Sequence, residues 1–261
     1  MPRAAASASV PARGAARGLP QSQGSLGLMS ELWVANLGRV PYREAFELQR
    51  ELRERRAAGE LPDVLLVLEH PPVYTTGKRS EPTDLPMGED WYRRRGIEVR
   101  QTDRGGRVTY HGPGQLVGYP IMAVERVADY VATMEGAIVA ALADEGVAAE
   151  ARATPYTGVW AGDAKIASIG VRVRGGVSMH GLAVNVDNDL QPFEWIVPCG
   201  IDQVRMTSVS KETARTRTLP CFRKRFAYRF CEAFERRQRL VSRERLRAGV
   251  PPSSRREEVF A

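Results

Sequence analysis

Short apolar runs joined by tight turns occupy the middle of this chain and restrict the sheet that it can form. Residues 107–110 are followed closely by residues 116–123, and "AKIASIGVRVRGG" is followed shortly by "HGLAVNVD". Parallel strands need a crossover of about a dozen residues or more, whereas antiparallel neighbours need only a tight turn. The Gly175-Gly176 turn therefore predicts an antiparallel hairpin, and residues 107–110 and 116–123 predict two strands that flank a glycine loop.

Segments with helical spacing stand before, between and after these strands. These segments are residues 41–59, 127–147 and about 220–247. The first begins near Pro41 and ends near Gly59, as start and stop signals require. Apolar runs at residues 32–37 and 63–70 predict buried strands. Because the long β–α–β alternation of a doubly wound fold is missing, we predict an α+β fold, in which helices cover a mixed, largely antiparallel sheet.

The composition divides the chain into one predicted domain and two flexible ends. Residues 1–30 are rich in Ala, Ser, Gly and Arg and contain no acidic residue before Glu31. They predict a disordered extension; a transit peptide, or a start codon upstream of the functional Met29, would explain the same composition. Residues 31–247 predict one catalytic domain and residues 248–261 a flexible tail. The sequence has no apolar run of about 18 residues, so it predicts no membrane span.

Charge and cysteine content narrow the class of protein. The formal net charge is +7, and only four of the 38 basic residues are lysine. A basic surface attracts acidic partners, so a nucleic-acid binder is one alternative. Three scattered cysteines favour a reducing compartment over a disulfide framework. Because there is no CxxC motif or Cys/His cluster, we predict no metal site.

The stretch "RGGRVTYHGPGQ", residues 104–115, places glycines on both sides of a short strand. Glycine permits positive φ and close approach of a ligand to the backbone, so the stretch predicts either a ligand cradle or a turn-rich strand pair. The phosphate motifs GxxxxGK[ST] and GxGxxG are absent from it, which argues against a nucleotide cradle. His70, His111 and His180 all lie beside Pro or Gly. Each is either a structural histidine or a residue of the site.

Cys199 is the candidate nucleophile, because Pro198 and Gly200 flank it and leave room beside its sulfur. An inert buried thiol is the alternative interpretation. A thiol with a pKa of about 8.5 is only about 3% thiolate at pH 7, so a nucleophile needs a nearby cation. A histidine or Lys165, which stands among small residues, would supply it. Sequence spacing alone does not bring Cys199 and Lys165 together.

Four stretches in this order resemble the octanoyltransferases of lipoate biosynthesis, the lipoyl(octanoyl) transferases. They are "LEHPPVYTTGK", "RGGRVTYHGPGQLVGYPI", "GDAKIASIGVRVRGGVSMHGLAVNV" and "PCGI" followed by "TSV". The resemblance covers residues 32–235. It implies the fold of biotin and lipoate protein ligases. It also implies transfer of an octanoyl group from acyl carrier protein to a lysine of lipoyl domains and of the glycine cleavage H protein, with no cofactor.

The resemblance also implies the roles of individual residues. It makes Cys199 the acyl-thioester nucleophile and Lys165 the group that lowers the pKa of the cysteine and moves protons. It places the acyl pocket at Arg104, Gly105, Gly106, Arg107, Val108, Thr109, Tyr110, His111, Ser168, Ile169, Gly170, Gly181, Leu182 and Ala183. Small residues in this set would leave a channel for the chain, with Tyr110 and His111 at its lip.

Two rival functions stay open from the sequence. An ATP-dependent lipoate or biotin protein ligase would share the fold, but the placed cysteine and the missing consecutive-glycine pattern favour acyl transfer. A nucleic-acid binder would need aromatic residues interleaved with the arginines, whereas those near the C-terminus have the helical spacing of a core. We expect a cytoplasmic location, or a mitochondrial one if residues 1–30 are a transit peptide.

Overall fold

A computed structural model describes residues 30–153, 157–197 and 204–248. The strands are β1 (Glu31–Arg39), β2 (Asp63–Glu69), β3 (Val73–Thr76), β4 (Glu98–Gln101), β5 (Thr109–His111), β6 (Gln115–Ile121), β7 (Glu150–Arg152), β8 (Gly158–Ala161), β9 (Ala164–Arg174), β10 (Val177–Asn185), β11 (Arg205–Met206) and β12 (Arg237–Leu240). The helices are α1 (Tyr42–Ala57), α2 (Glu89–Arg94), α3 (Val127–Ala143), α4 (Val209–Thr213), α5 (Leu219–Ala233) and α6 (Arg243–Ala248).

A nine-stranded sheet forms the frame, in the order β12-β1-β2-β6-β10-β9-β8-β7, with β11 paired to β9. The pairs from β2 to β7 along this path are antiparallel. Strand β1 pairs in parallel with both β12 and β2, and the 16-residue helix α1 makes the crossover from β1 to β2. The predicted fold class, a mixed and largely antiparallel sheet covered by helices, is confirmed.

The C-terminal region differs from the single helical region predicted at residues 220–247. Helix α5 ends at Ala233, β12 then adds a parallel edge to the sheet, and the short helix α6 follows. Strand β12 reads RQRL and is mostly exposed, so it has no apolar run by which it could be recognised. Its contribution to the fold is backbone pairing with β1 rather than burial of side chains.

Both faces of the large sheet are buried, and β2 shows this most clearly. Leu65 and Val67 pack into a core cluster with α3 and α5, whereas the alternate residues Val64, Leu66 and Leu68 pack against α1. Side chains alternate along a strand, so a strand covered on both faces reads as a continuous apolar run. No helix in the described ranges is long and apolar enough to cross a membrane.

A small sheet in the order β4-β3-β5 stands beside the large one. An aromatic cluster supports it, in which Tyr110 packs against Tyr74 and Phe193. The backbone N–H of Gly105 donates to the carbonyl oxygen of Val171 on β9 at 3.1 Å. This hydrogen bond ties the loop before β5 to the large sheet, and a cavity lies between the two.

Phe226 on α5 tests this packing. Its side chain is fully buried in the core cluster. We expect Phe226→Ala to lower the free energy of unfolding by about 3–5 kcal/mol, through lost apolar contact and an unfilled cavity. Urea denaturation measures the loss. Tyr228→Ala on the same helix is the control, because Tyr228 is 57% exposed and should change stability by only about 0.5 kcal/mol. Equal losses would contradict the assigned packing.

Candidate functional site

A cavity opens where α1, β5, β6, β9 and β10 meet, and it includes about 480 Å³ of space with its mouth. Its lining residues are Tyr42, Arg104, Gly106, Arg107, Thr109, His111, Tyr119, Ser168, Ile169, Gly170, His180, Gly181, Leu182 and Ala183. Most of this surface is apolar. The cavity therefore suits a ligand with an apolar body.

The floor of the cavity consists of backbone as much as of side chains. Residues 168–170 of β9 pair with residues 181–183 of β10, so the two segments lie side by side. A Cβ atom on Gly181 would overlap the carbonyl oxygen of Gly118. A Cβ atom on Gly170 would lie 2.9 Å from the carbonyl oxygen of Gly105. The close approach of these backbones therefore requires glycine at both positions, as the sequence pattern suggested.

Arg104 is buried at the side of the cavity. Its guanidinium donates to the hydroxyl and to the carbonyl oxygen of Thr75, and to the carbonyl oxygen of Gly105 at 3.0 Å. A Cβ atom on Gly77 would lie 2.9 Å from this guanidinium, so the turn after β3 also leaves room for it. The guanidinium is therefore held in place before any ligand binds.

The predicted stretch of residues 104–111 lines the cavity only at alternate positions along its strand. Thr109 and His111 face the cavity, whereas Val108 and Tyr110 belong to the aromatic cluster on the opposite side of the small sheet. Gly105 is also absent from the lining, because its N–H is turned to β9. Tyr110, expected at the lip, is therefore buried in the cluster, since side chains alternate along a strand.

Three lining residues were not among the predicted set: Tyr42, Tyr119 and His180. Tyr42 opens α1, where its spacing indicated only an apolar helix face. Tyr119 lies in an apolar strand, where nothing distinguishes it from core. His180 carried a usable signal, because its His-Gly pair repeats the one at His111.

The other two histidines hold the side walls through fixed hydrogen bonds. Nδ1 of His70 donates to the carbonyl oxygen of Val40 at 2.6 Å, so its Nε2 accepts from the Tyr119 hydroxyl at 2.8 Å. Nδ1 of His111 donates to Oε1 of Gln115 at 2.8 Å. Burial lowers the pKa of His70 to about 4 and that of His111 to about 3. Both rings are therefore neutral at pH 7; that of His111 lines the cavity, and that of His70 holds the hydroxyl of the lining residue Tyr119.

Lys165 lies on β9, a few residues before the cavity floor, and its side chain is almost fully buried. Its Nζ atom donates to the carbonyl oxygen of Thr157 at 2.8 Å and lies 5.8 Å from the ring centroid of Trp160. Burial raises the pKa of Glu135 on α3, and the positive charge of Lys165 opposes that shift. Cys199 lies outside the described residues. Within the described ranges no group of three or more His, Cys, Asp and Glu could hold a metal ion.

A mixed sheet with an apolar, glycine-floored cavity is found together with the motifs of a known protein family. The family described as lipoyl protein ligase A/B catalytic domain matches residues 41–231. An octanoyltransferase of Corynebacterium glutamicum is 45% identical over 191 residues, which cover 70% of this chain and 73% of the relative. One of Rubrobacter xylanophilus is 48% identical over 184 residues, 68% of this chain and 82% of the relative.

Solved structures give the same answer for the fold. A lipoate-protein ligase A bound with ATP superposes with a TM-score of 0.62 at 16% identity, over 83% of this chain and 91% of that one. The chain therefore belongs to the lipoyl protein ligase A/B catalytic-domain family, and to the octanoyltransferases within it. The resemblance read from the motifs is confirmed, and with it the expectation of an acyltransferase enzyme.

The neutral histidines predict how stability depends on pH. Their pKa values are lower in the folded state than the value of about 6.5 expected when unfolded, so the unfolded chain binds more protons below that pH. Stability from each is complete above pH 6.5 and is lost as pH falls towards 3–4. We expect the free energy of unfolding to fall by about 1–2 kcal/mol per histidine between pH 7 and pH 5.

Denaturation of His70→Gln at the two pH values isolates one histidine. The decrease between pH 7 and pH 5 should be smaller than that of the unaltered protein by about 1–2 kcal/mol. Glu47→Gln, an exposed substitution on α1, is the control and should leave the decrease unchanged. An identical decrease in His70→Gln would show that its ring is not held neutral.

Proposed function

We propose that this protein transfers the octanoyl group of octanoyl-acyl carrier protein, through a thioester on Cys199, to the lysine of lipoyl domains. The observation that supports it most is the cavity over β9 and β10, which is apolar, glycine-floored and walled by neutral rings. Membership among the octanoyltransferases supports the same acyl group. The glycine cleavage H protein would be a further acceptor of the same kind.

The length and the surface of the cavity suit an eight-carbon chain. Ser168 pairs with Ala183, and Val171 pairs with His180, so the floor between these rows spans three residues. Three residues of a strand extend about 10 Å. A zigzag of seven C–C bonds of about 1.5 Å spans roughly 9 Å. Burial of six methylenes would contribute about 5 kcal/mol to binding.

The proposed chemistry uses Cys199 and Lys165 in two displacements. The thiolate of Cys199 attacks the donor's carbonyl carbon; a new C–S bond forms, the carrier's C–S bond breaks, and the carrier leaves as a thiol after taking a proton from Lys165. The acceptor amine then attacks, a C–N bond forms, and the Cys199 sulfur leaves. Lys165 passes the amine proton to that sulfur. Because the donor thioester is already activated, no ATP is consumed.

Chain connectivity supports the pairing of these two residues. Arg205 and Met206 of β11 pair with Ala164 and Lys165 of β9. The N–H of Thr207 donates to the carbonyl oxygen of Lys165 at 3.0 Å. The described chain that follows Cys199 by only a few residues in sequence therefore runs directly beside Lys165.

The shared fold favours one alternative, an ATP-dependent lipoate ligase, because a ligase bound with ATP superposes on this chain. Such an enzyme would activate a free acid as an acyl-adenylate. It would need ATP for every turnover and would not use a cysteine. The two functions therefore differ in a requirement that one assay measures directly.

The proposed partners are acidic proteins, and the net charge of +7 would attract them over long range. Carrier proteins and lipoyl domains of the 2-oxoacid dehydrogenases are typically acidic. A cytoplasmic location, where both occur, belongs to the same proposal.

Mass spectrometry tests the thioester. The protein incubated with octanoyl-acyl carrier protein and no ATP should gain the mass of one octanoyl group, and a lipoyl domain added afterwards should take it. Cys199→Ala should gain no mass, whereas Cys221→Ala, an exposed cysteine on α5, should behave like the unaltered protein. A strict need for ATP would refute the proposal and support the ligase.

The pH dependence of alkylation tests Lys165. If its positive charge stabilises the Cys199 thiolate, Lys165→Ala should raise the pH at which iodoacetamide alkylates Cys199 at half the maximum rate. We expect a shift of at least about one pH unit. Lys224→Ala, on the exposed face of α5, is the matched control and should not move the profile. An unchanged pH profile in Lys165→Ala would show that Lys165 does not stabilise the Cys199 thiolate.

A further inference from the structure

We propose that His180, anchored by Asp103, is the end wall of the acyl pocket and limits the donor to chains of about eight carbons. This inference rests on the proposed function and adds the residues that set its specificity. His180 lines the cavity at the end of the floor opposite Lys165, because β10 runs antiparallel to β9. A chain laid along the floor with its carbonyl towards Lys165 would end at this ring.

Three contacts hold His180 in place, and a fourth holds its partner Asp103. Its backbone N–H donates to Oε1 of the buried Gln49 at 2.8 Å, and its Nε2–H donates to Oδ1 of Asp103 at 2.7 Å. The ring of Phe46 stacks on it at a centroid distance of 5.6 Å. Asp103 is itself ion-paired with Arg172 on β9. His180 is therefore fixed through its backbone N–H, its Nε2 atom and one face of its ring.

The backbone of His180 adopts a φ of +59°, in the left-handed region that non-glycine residues seldom occupy. Such a strained backbone conformation is unfavourable, and it persists only where the surrounding contacts impose it. The ring of His180 and the bare backbone of Gly181 both border the cavity. A ring held in this unusual conformation therefore stands at this end of the floor.

A second cavity lies behind the wall and differs from the first in character. Its lining residues are Phe46, Arg50, Arg53, Glu54, Asp103, Arg172, Arg174 and Met179, around about 630 Å³ of space open in part to solvent. Among the described residues, no carboxylate lies within ion-pair distance of Arg50 or Arg174. These guanidinium groups need water, and methylenes placed among them would displace it at a cost.

The His180–Asp103 pair is thus the partition between an apolar pocket and a hydrated arginine cavity. A ninth or tenth carbon would have to break the Nε2–Oδ1 hydrogen bond or displace the stacked ring. Beyond the partition the longer chain would meet charge instead of apolar surface. Shape and hydration therefore act in the same direction and set an upper limit on chain length.

A series of acyl donors tests the wall. Hexanoyl, octanoyl, decanoyl and dodecanoyl groups on acyl carrier protein are compared by kcat/KM for transfer to a lipoyl domain. His180→Gly removes the ring and keeps the left-handed backbone accessible. We expect its ratio of dodecanoyl to octanoyl kcat/KM to exceed that of the unaltered protein at least tenfold. An unchanged ratio in a variant that still transfers octanoyl groups would overturn the proposal.

A second variant and a second readout keep the test decisive. Asp103→Ala leaves the ring but removes its anchor, and should raise the same ratio by a smaller factor; if His180→Gly does not fold, this ratio alone decides. Asp90→Asn, an exposed aspartate on α2, is the control and should leave the ratio unchanged. Thermal stabilisation by free octanoate and dodecanoate needs no turnover.

The two proposals fail in different ways. If the unaltered protein transfers no octanoyl group, the proposed function is wrong. The wall is then judged by thermal stabilisation alone. Dodecanoate should stabilise His180→Gly more than octanoate does, and it should stabilise the unaltered protein less than octanoate does. Equal stabilisation of both proteins by dodecanoate would reject the wall.

Discussion

The hydrogen bond from the Gly105 N–H to the carbonyl oxygen of Val171 holds the small sheet over the large one, and the candidate site depends on it. Beside this contact, Gly170 brings β9 so close to the loop that a single Cβ atom would force them apart. The cavity is the space that remains where two backbones approach and side chains are missing. Its floor is therefore a property of main-chain packing, and the rings around it supply the walls.

The walls combine polar tips with apolar faces, and this matters for an acyl chain. The Nδ1 atoms of His70 and His111 donate to fixed acceptors, and burial keeps both rings neutral. A buried polar group with its partners satisfied presents little charge to a neighbouring methylene. The same device at His180 ends the pocket, because its partner Asp103 faces a cavity lined by arginines. One pocket can thus be apolar along its length and closed by a polar group.

Much of the fold could be predicted from the sequence, because helices and buried strands carry a periodic apolar signal. Strands β1, β2, β6, β9 and β10 and helices α1 and α3 lie where that signal placed them. Strand β12 could not be predicted, because it pairs through its backbone and buries little. Strand periodicity could predict that Val108 and Tyr110 point to one side and Thr109 and His111 to the other. Which side meets the cavity depends on the aromatic cluster packed behind the small sheet.

The sequence by itself determined the family, the glycine positions under the cavity and the type of sheet, because these depend on local backbone freedom and short-range periodicity. Only the tertiary structure decided which side chains enclose the cavity. Tyr42 comes to it from α1, and His180 meets an aspartate 77 residues earlier in the chain. Such contacts depend on how a helix and a loop dock on the sheet. No pattern of neighbouring residues records that docking, since it is set by the packing of the whole domain.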